Sequence, residues 1–459
     1  MTGVRESSED RRPHVVILGG GFGGLAAARG LRRSPVRVTL IDRSNHHLFQ
    51  PLLYQVATAA LTAPDIAAPL RKLLRHQANA RVIMAEVLGI DPARRVVELE
   101  HSHVEYDYLI VATGMVHNYF GHDAWASHAP GLKTLREALD IRARVLRAYE
   151  AAERETDRDR QKSLLTFVVI GGGPTGVEMA GALAEIAHRT LARDFDGFDP
   201  DRDARVVLLE GGPRLLAAMH EESGRGAKEA LEEIGVEVRL NARASALDAS
   251  GVTLADGERI DAETIIWAAG LRASPLTAML GAELSRDGRV EVTTDLRVPQ
   301  HPEIYVIGDI AYLEQDGQPL PGVAQTAIQG GAFVAEHITN LELGYPQRER
   351  FRYVDKGSMA TVGRAHAVAE VFGSRFQGVI AWMLWLFIHV MFLVEFRNRV
   401  AVIMEWAYAY FTWQRSARVI LEAPPRRRPA NERAAILHTA LAAEPSEERA
   451  AANGPPAAP

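Results

Sequence analysis

Two glycine-rich turns, built alike and set far apart, constrain this chain more than any other feature. The first follows the apolar run Val15 to Leu18 and spans Gly19 to Gly24; the second follows Leu165 to Ile170 and spans Gly171 to Gly176. In both, glycines stand at the first, third and sixth positions: Gly19, Gly21 and Gly24, then Gly171, Gly173 and Gly176. The spacing has a mechanical reason. The first glycine makes a tight turn, the second lets a pyrophosphate approach the backbone, and the third lets the next helix pack closely on its strand. The anion then rests on a helix N-terminus, where free N–H groups and the dipole favour it. Each turn is followed by a second apolar strand ending on an acid, Asp42 or Glu210, placed to bind a ribose hydroxyl. Each half then has a hairpin and closes on an apolar strand ending in glycine, at Gly114 and Gly270. From first to closing glycine the halves run 95 and 99 residues. An internal duplication follows, with two dinucleotides on two sites.

Composition removes several alternatives. The 459 residues suffice for two or three domains with well-buried cores. A net charge of −6 makes no case for nucleic acid. Cysteine is absent, which excludes disulfides, thiolate metal sites and thiol mechanisms together. His101 and His103 share a turn, but nothing nearby completes a ligand set, so no metal is expected. Met1 to Pro13 is polar and mixed in charge, unlike a signal peptide, so a cytoplasmic setting is expected.

Between the fingerprints, Asn45 to Val56 is a loop rich in apolar and amide groups, either a packed connector or a wall of the first dinucleotide pocket. Val82 to Val87 is expected to be one strand, and residues 134–162 one long helix joining the halves. Ile304 to Asp309 forms another apolar strand ending in Gly-Asp. Pro321 to Ala335 is expected to be a helix with Gln325 and Gln329 one turn apart on one face. Lys356 to Arg364 reads as a strand.

The C-terminal region changes character. Val379 to Val394 is a run of 16 residues without formal charge, and Val400 to Trp413 is aromatic and apolar again. At about 1.5 Å per residue the first run spans roughly 24 Å, short of the ~30 Å hydrocarbon core. Arg375 to Arg428 holds eight arginines and three glutamates, and Trp382, Trp385, Trp406 and Trp413 suit the headgroup level. Two helices lying in the interface of an anionic leaflet are expected. A hydrophobic dimer interface competes with that reading, and a transmembrane hairpin ranks third. Residues 421–459 read as a largely disordered tail.

Together these residues resemble the bacterial type II NADH:quinone oxidoreductases, the alternative, non-pumping NADH dehydrogenases. The resemblance covers nearly all of residues 13–420. It rests on the two fingerprints, Leu48-Phe-Gln-Pro-Leu-Leu-Tyr-Gln55, Asn118-Tyr-Phe-Gly121, the Ala-Gln-x-Ala-x-Gln pattern at 324–329, Lys356-Gly, and Phe396-Arg-Asn-Arg399. Gly330 stands where family members often carry a further glutamine.

The resemblance implies an α/β fold: two Rossmann-like dinucleotide-binding domains, glutathione-reductase-like, plus a C-terminal membrane-associating helical segment. A discontinuous FAD domain would occupy 13–133 and 295–345, an NADH domain 163–294, and an anchoring and quinone-site region 346–420. Non-covalent FAD would contact Gly19, Gly21, Gly23, Gly24, Asp42, Arg43, Val87, Thr113, Gly114, Gly308, Asp309, Ala324 and Gln325. NADH would contact Gly171, Gly173, Pro174, Thr175, Gly176, Glu178, Glu210 and Gly270, an acid at Glu210 disfavouring a 2′-phosphate. A menaquinone or ubiquinone would meet Gln325, Gln329 and Lys356. With Glu178, these three are the residues expected at the reacting groups. Hydride would pass from NADH to flavin N5, and two electrons from flavin to quinone, without proton pumping. The implied setting is peripheral, on the cytoplasmic face of the cell membrane, with an anionic membrane surface as partner and a homodimer as the assembly. A reductase serving a soluble electron-transfer partner, or an NADH-sensing flavoprotein dimer, would share the double fold. Disulfide reductases and sulfide:quinone oxidoreductases need redox cysteines, which this chain lacks.

Overall fold

The computed structural model describes residues 12–191 and 194–420, and those through Arg418 form one compact body. Two parallel sheets organise it. The first runs, in order, Arg297–Val298, His301–Val306, Tyr108–Val111, His14–Leu18, Arg37–Asp42 and Ala80–Met84. Its pairings are parallel except at the Arg297–Val298 edge. The strand His301–Val306 returns beside Tyr108–Val111 after the whole second half has intervened. The second sheet, Val236–Arg239, Arg205–Leu209, Thr166–Ile170 and Thr264–Trp267, is parallel throughout. Helices cover both faces of such sheets, which is why the central strands are fully buried and apolar from Val15 to Leu18 and from Phe167 to Ile170.

Six helices place the chemistry. α1 (Phe22–Gly30) follows the first glycine turn, α2 (Leu53–Ala57) lies in the connector loop, and α3 (Pro174–Glu185) follows the second turn. α4 (Ala324–Leu343) packs along α1. A methyl group on Gly331 would lie 2.3 Å from the Gly23 carbonyl, so these backbones touch directly. α5 (Gly378–Phe392) and α6 (Phe396–Thr412) come last, after the antiparallel strands Ser358–Gly363, His366–Val371 and Ser374–Gln377.

Several local expectations change. The connector between the halves is two helices, Leu135–Arg154 and Arg158–Leu164. Asp157 ends the continuity, because its carboxylate caps the N–H groups of Asp159 and Arg160. The expected strand through Val87 stops at Met84, and Val87 opens a separate antiparallel sheet. α4 begins three residues later than expected, at Ala324, and runs on to Leu343, where Gly344 takes a left-handed cap. Lys356 precedes its strand and is exposed in the loop. The disordered-tail expectation for 421–459 falls outside the described residues.

Candidate active site

The two glycine turns have the same geometry. Gly19 and Gly171 adopt φ of +100° and +116°, where a side chain is strained. A methyl group on Gly24 would stand 1.8 Å from the Gly19 oxygen, and one on Gly176 1.7 Å from the Gly171 oxygen. Around the middle glycines, Gly21 and Gly173, that same position is open. Both acids are tied back to their own turn. Asp42 accepts from Gly20 N–H and Ser44 N–H, each at 2.6 Å; Glu210 accepts from Gly172 N–H and Gly212 N–H, each at 2.6 Å. The spare lone pairs of each carboxylate remain for ribose hydroxyls.

The first half fits FAD on grounds independent of the motif. Thr113 Oγ1 and His47 Nε2 are buried polar atoms without a protein partner. His47 Nδ1 lies 2.9 Å from the Gly20 carbonyl, so that nitrogen carries the proton and Nε2 awaits a donor. The hydroxyl groups of a bound dinucleotide would supply one. Gly308 turns with φ +74°, and the partly buried Asp309 carboxyl is pushed up by burial, opposed by Lys133 and Arg289. Thr113, Gly114, Ala324 and Gln325 are half-buried, whereas Arg43 is exposed. In the second half, Pro174 and Thr175 are exposed at the helix start, and Gly270 packs against Phe120 and the Asn118 carbonyl.

Beyond the turns lies a cavity of about 650 Å³, bounded by α2, α3, α5, α6 and the strand Ser358–Gly363. Its lining is mainly apolar. The polar groups are few: Tyr54, Gln55, Glu178, Glu185, Arg364 and Arg415 among them. Glu178 is buried, with only the Thr361 N–H at 3.5 Å and a nearby Trp385 indole to favour its charge. Burial pushes its carboxyl up to about 8. It is the fifth residue of α3, and as a mostly neutral acid it does not act as a helix-dipole partner. Glu185 has an ion-pair partner: Arg415 lies 3.0 Å away and also donates to the Thr58 carbonyl at 2.6 Å. Arg364 is held between the rings of Tyr410 and Trp413, 3.8 Å and 4.0 Å from their centroids.

Gln325, Gln329 and Lys356, the residues expected at the quinone, do not line this cavity, whereas Glu178, expected beside NADH, does. Gln329 is engaged elsewhere: its amide donates to the Val354 carbonyl at 2.9 Å and accepts from Val354 N–H at 3.0 Å. Tyr54 and Gln55 stand out in the sequence only inside the motif Leu48 to Gln55 and Trp406 only as a headgroup tryptophan, while Glu185 and Arg415 do not stand out at all. The signal for the first two was present, since a phenol and an amide interrupt the apolar run Leu52 to Val56.

The C-terminal helices also differ from expectation. Trp385 is buried and Trp382 and Trp406 are half-buried against core clusters, so three of the four tryptophans pack on the body rather than at headgroups. Ile380, Met383, Phe387 and Met391 form the exposed face of α5, each at least half exposed. Arg375, Arg415 and Arg418 are paired with Glu222, Glu185 and Asp194, so much of the basic excess is neutralised internally. No helix among the described residues is long and apolar enough to cross a membrane, which removes the transmembrane hairpin for them.

The fold and the sequence have close relatives. The pyridine nucleotide-disulphide oxidoreductase family matches residues 13–331, and the NDH2 C-terminal domain matches 356–413. The type II NADH:quinone oxidoreductase Ndh of Mycobacterium tuberculosis is 44% identical over 426 residues, covering 90% of this chain and 91% of its own. The Staphylococcus aureus type II NADH:quinone oxidoreductase is 30% identical, covering 81% of this chain and 92% of its own. The structure of NDH2 from Plasmodium falciparum in complex with NADH superposes with a TM-score of 0.80 at 20% identity, over 90% of this chain and all of the other. Duplicated turns with their acids and the apolar cavity under the last two helices agree with these matches: the chain belongs to the type II NADH:quinone oxidoreductases.

Proposed function

We propose that this chain oxidises NADH and reduces a membrane quinone, and that the quinone head enters the cavity between α2, α3, α5 and α6. The observation that carries the reading is the position of Glu178. It lies in the helix that starts from the second glycine turn, and its side chain lines a cavity roofed by helices with exposed apolar faces. FAD, when bound, accepts hydride from NADH and relays two electrons to the quinone. The chain's own residues bind, orient and exclude water. Residues 13–133 with 295–345 hold the flavin through Gly19, Gly21, Gly23, Gly24, Asp42, Thr113 and Gly308-Asp309. Residues 163–294 hold NADH through Gly171, Gly173, Gly176 and Glu210. Glu178, protonated at neutral pH, places an O–H group in the cavity where negative charge develops on a quinone oxygen. Gln325 and Lys356, which make no side-chain hydrogen bond among the described residues, stay assigned to the flavin side of the quinone.

Residues 346–420 anchor the protein peripherally through the exposed faces of α5 and α6, which leaves the NADH domain on the cytoplasmic face, where NADH is found. Arg397 and Arg399, without a carboxylate partner among the described residues, supply the attraction to an anionic surface. A homodimer sets two such faces on one membrane. The quinone is menaquinone or ubiquinone, since a mainly apolar cavity accepts either ring.

NADH oxidation by purified protein, with and without a soluble quinone and alongside a flavin spectrum, tests the reading. Quinone-dependent turnover with a bound flavin is expected. A bound flavin that NADH reduces and quinone fails to reoxidise overturns it.

A further inference from the structure

We propose that the Tyr54 hydroxyl donates a hydrogen bond to a carbonyl oxygen of the bound quinone, and that Trp406 sets its direction through Gln55. The proposal rests on the cavity being the quinone site.

Two hydrogen bonds connect the three side chains. The Trp406 indole N–H donates to Gln55 Oε1 at 2.7 Å, and Gln55 Nε2 donates to the Tyr54 oxygen at 2.9 Å. All three residues line the cavity. Their polarity follows from chemistry alone. An indole nitrogen only donates, so the amide atom facing it must be the oxygen. The Gln55 amide nitrogen therefore faces Tyr54, whose oxygen accepts. The remaining hydroxyl proton has no acceptor among the described protein groups. Adjacent residues on a helix diverge by about 100°, so the Gln55 amide must fold across to reach its neighbour. Trp406 holds it there from a helix 351 positions away in sequence.

The direction is what matters. Without the Trp406 anchor the Gln55 amide could turn over and take the Tyr54 proton on its own oxygen. With the anchor, a donor is kept facing the cavity before any substrate arrives, at the floor where Glu178 stands close enough to influence the phenol. Such preorganised donors strengthen as charge builds on the accepting oxygen. Trp406 thus links the membrane-facing helix α6 to the reacting end of the cavity and acts as a positioning residue.

Stopped-flow measurement of the two half-reactions, on holoenzyme with a short-chain soluble quinone, tests this. Tyr54→Phe keeps the ring and removes the hydroxyl; flavin reoxidation by quinone should slow roughly tenfold, with flavin reduction by NADH unchanged. Trp406→Phe keeps the packing and removes the indole N–H; reoxidation should slow about threefold. In the double variant the second change should add nothing, because both act through one proton. Additive losses, or a Tyr54→Phe variant that reoxidises at the parent rate, overturn the proposal. Quinone failing to reoxidise the parent protein would instead overturn the quinone-site reading. Should Tyr54→Phe not retain flavin, Trp406→Phe and Gln55→Met decide the matter: both must slow reoxidation selectively, and parent rates in both overturn it.

Discussion

The side-chain amide of Gln329 pairs at both ends with the backbone of one residue, Val354, donating at 2.9 Å and accepting at 3.0 Å. A glutamine that reads from its motif as a substrate ligand is therefore a clamp. It fixes the segment that carries Lys356, two residues further on.

Gln329→Ala should consequently cost stability and slow the quinone step only indirectly. Two partly exposed hydrogen bonds are worth about 1–2 kcal/mol together. Thermal unfolding of holoenzyme should show that loss for Gln329→Ala and almost none for Gln325→Ala. Equal effects of the two substitutions would argue against the clamp.

Glu178 makes stability depend on pH. Its carboxyl is pushed up to about 8 in the folded chain, from an unfolded value of 4.5. Between those values the folded state holds more protons than the unfolded one, so stability falls as pH rises through that window. Below the unfolded value the contribution is fully present; above about 8 it is lost. Glu178→Gln, which cannot ionise, should flatten this slope, by a few kcal/mol at most. Melting temperatures from pH 5 to 9 compare the two directly. Parallel curves would mean that Glu178 is ionised in the folded protein.

Replacing Glu210 acts on two levels. Its carboxylate accepts from Gly172 N–H and Gly212 N–H, so it braces the second glycine turn in addition to the ribose contact proposed for it. Glu210→Gln can keep only one of these acceptors. KM for NADH should rise roughly tenfold, as for loss of a charged hydrogen bond, while KM for NADPH changes less. An unchanged NADH/NADPH preference would place the acid away from the ribose.

Membrane attachment should depend more on apolar contact than on charge. Phe387 and Met404 are 65% and 64% exposed, whereas Arg375 and Arg418 are already paired with Glu222 and Asp194. Phe387→Glu with Met404→Glu should release the protein from anionic vesicles and leave flavin reduction by NADH intact. High salt should weaken attachment of the parent protein only modestly, since among the described arginines of this segment only Arg397 and Arg399 lack a carboxylate partner and remain to be screened from an anionic surface. Release by salt alone would restore the electrostatic reading.

The dinucleotide turns were legible in the sequence because their chemistry is local. A tight turn, a close backbone approach and a following acid all fall within short spans, and each demands a particular residue type. The duplication was legible for the same reason, since each half repeats those demands in order. The break at Asp157 and the late start of α4 were not legible in a periodicity reading, because capping and loop packing override helical pattern over a few residues. Charge could be counted but not cancelled: three arginines of the last segment, Arg375, Arg415 and Arg418, find their carboxylates on Glu222, Glu185 and Asp194, which only folding brings near. The cavity belongs wholly to the tertiary structure. Tyr54, Glu178 and Trp406 come from three distant parts of the chain, and no spacing rule links them. Their meeting depends on how the apolar faces of α2, α3, α5 and α6 pack. Packing likewise determines which of their polar groups remains free to meet a substrate.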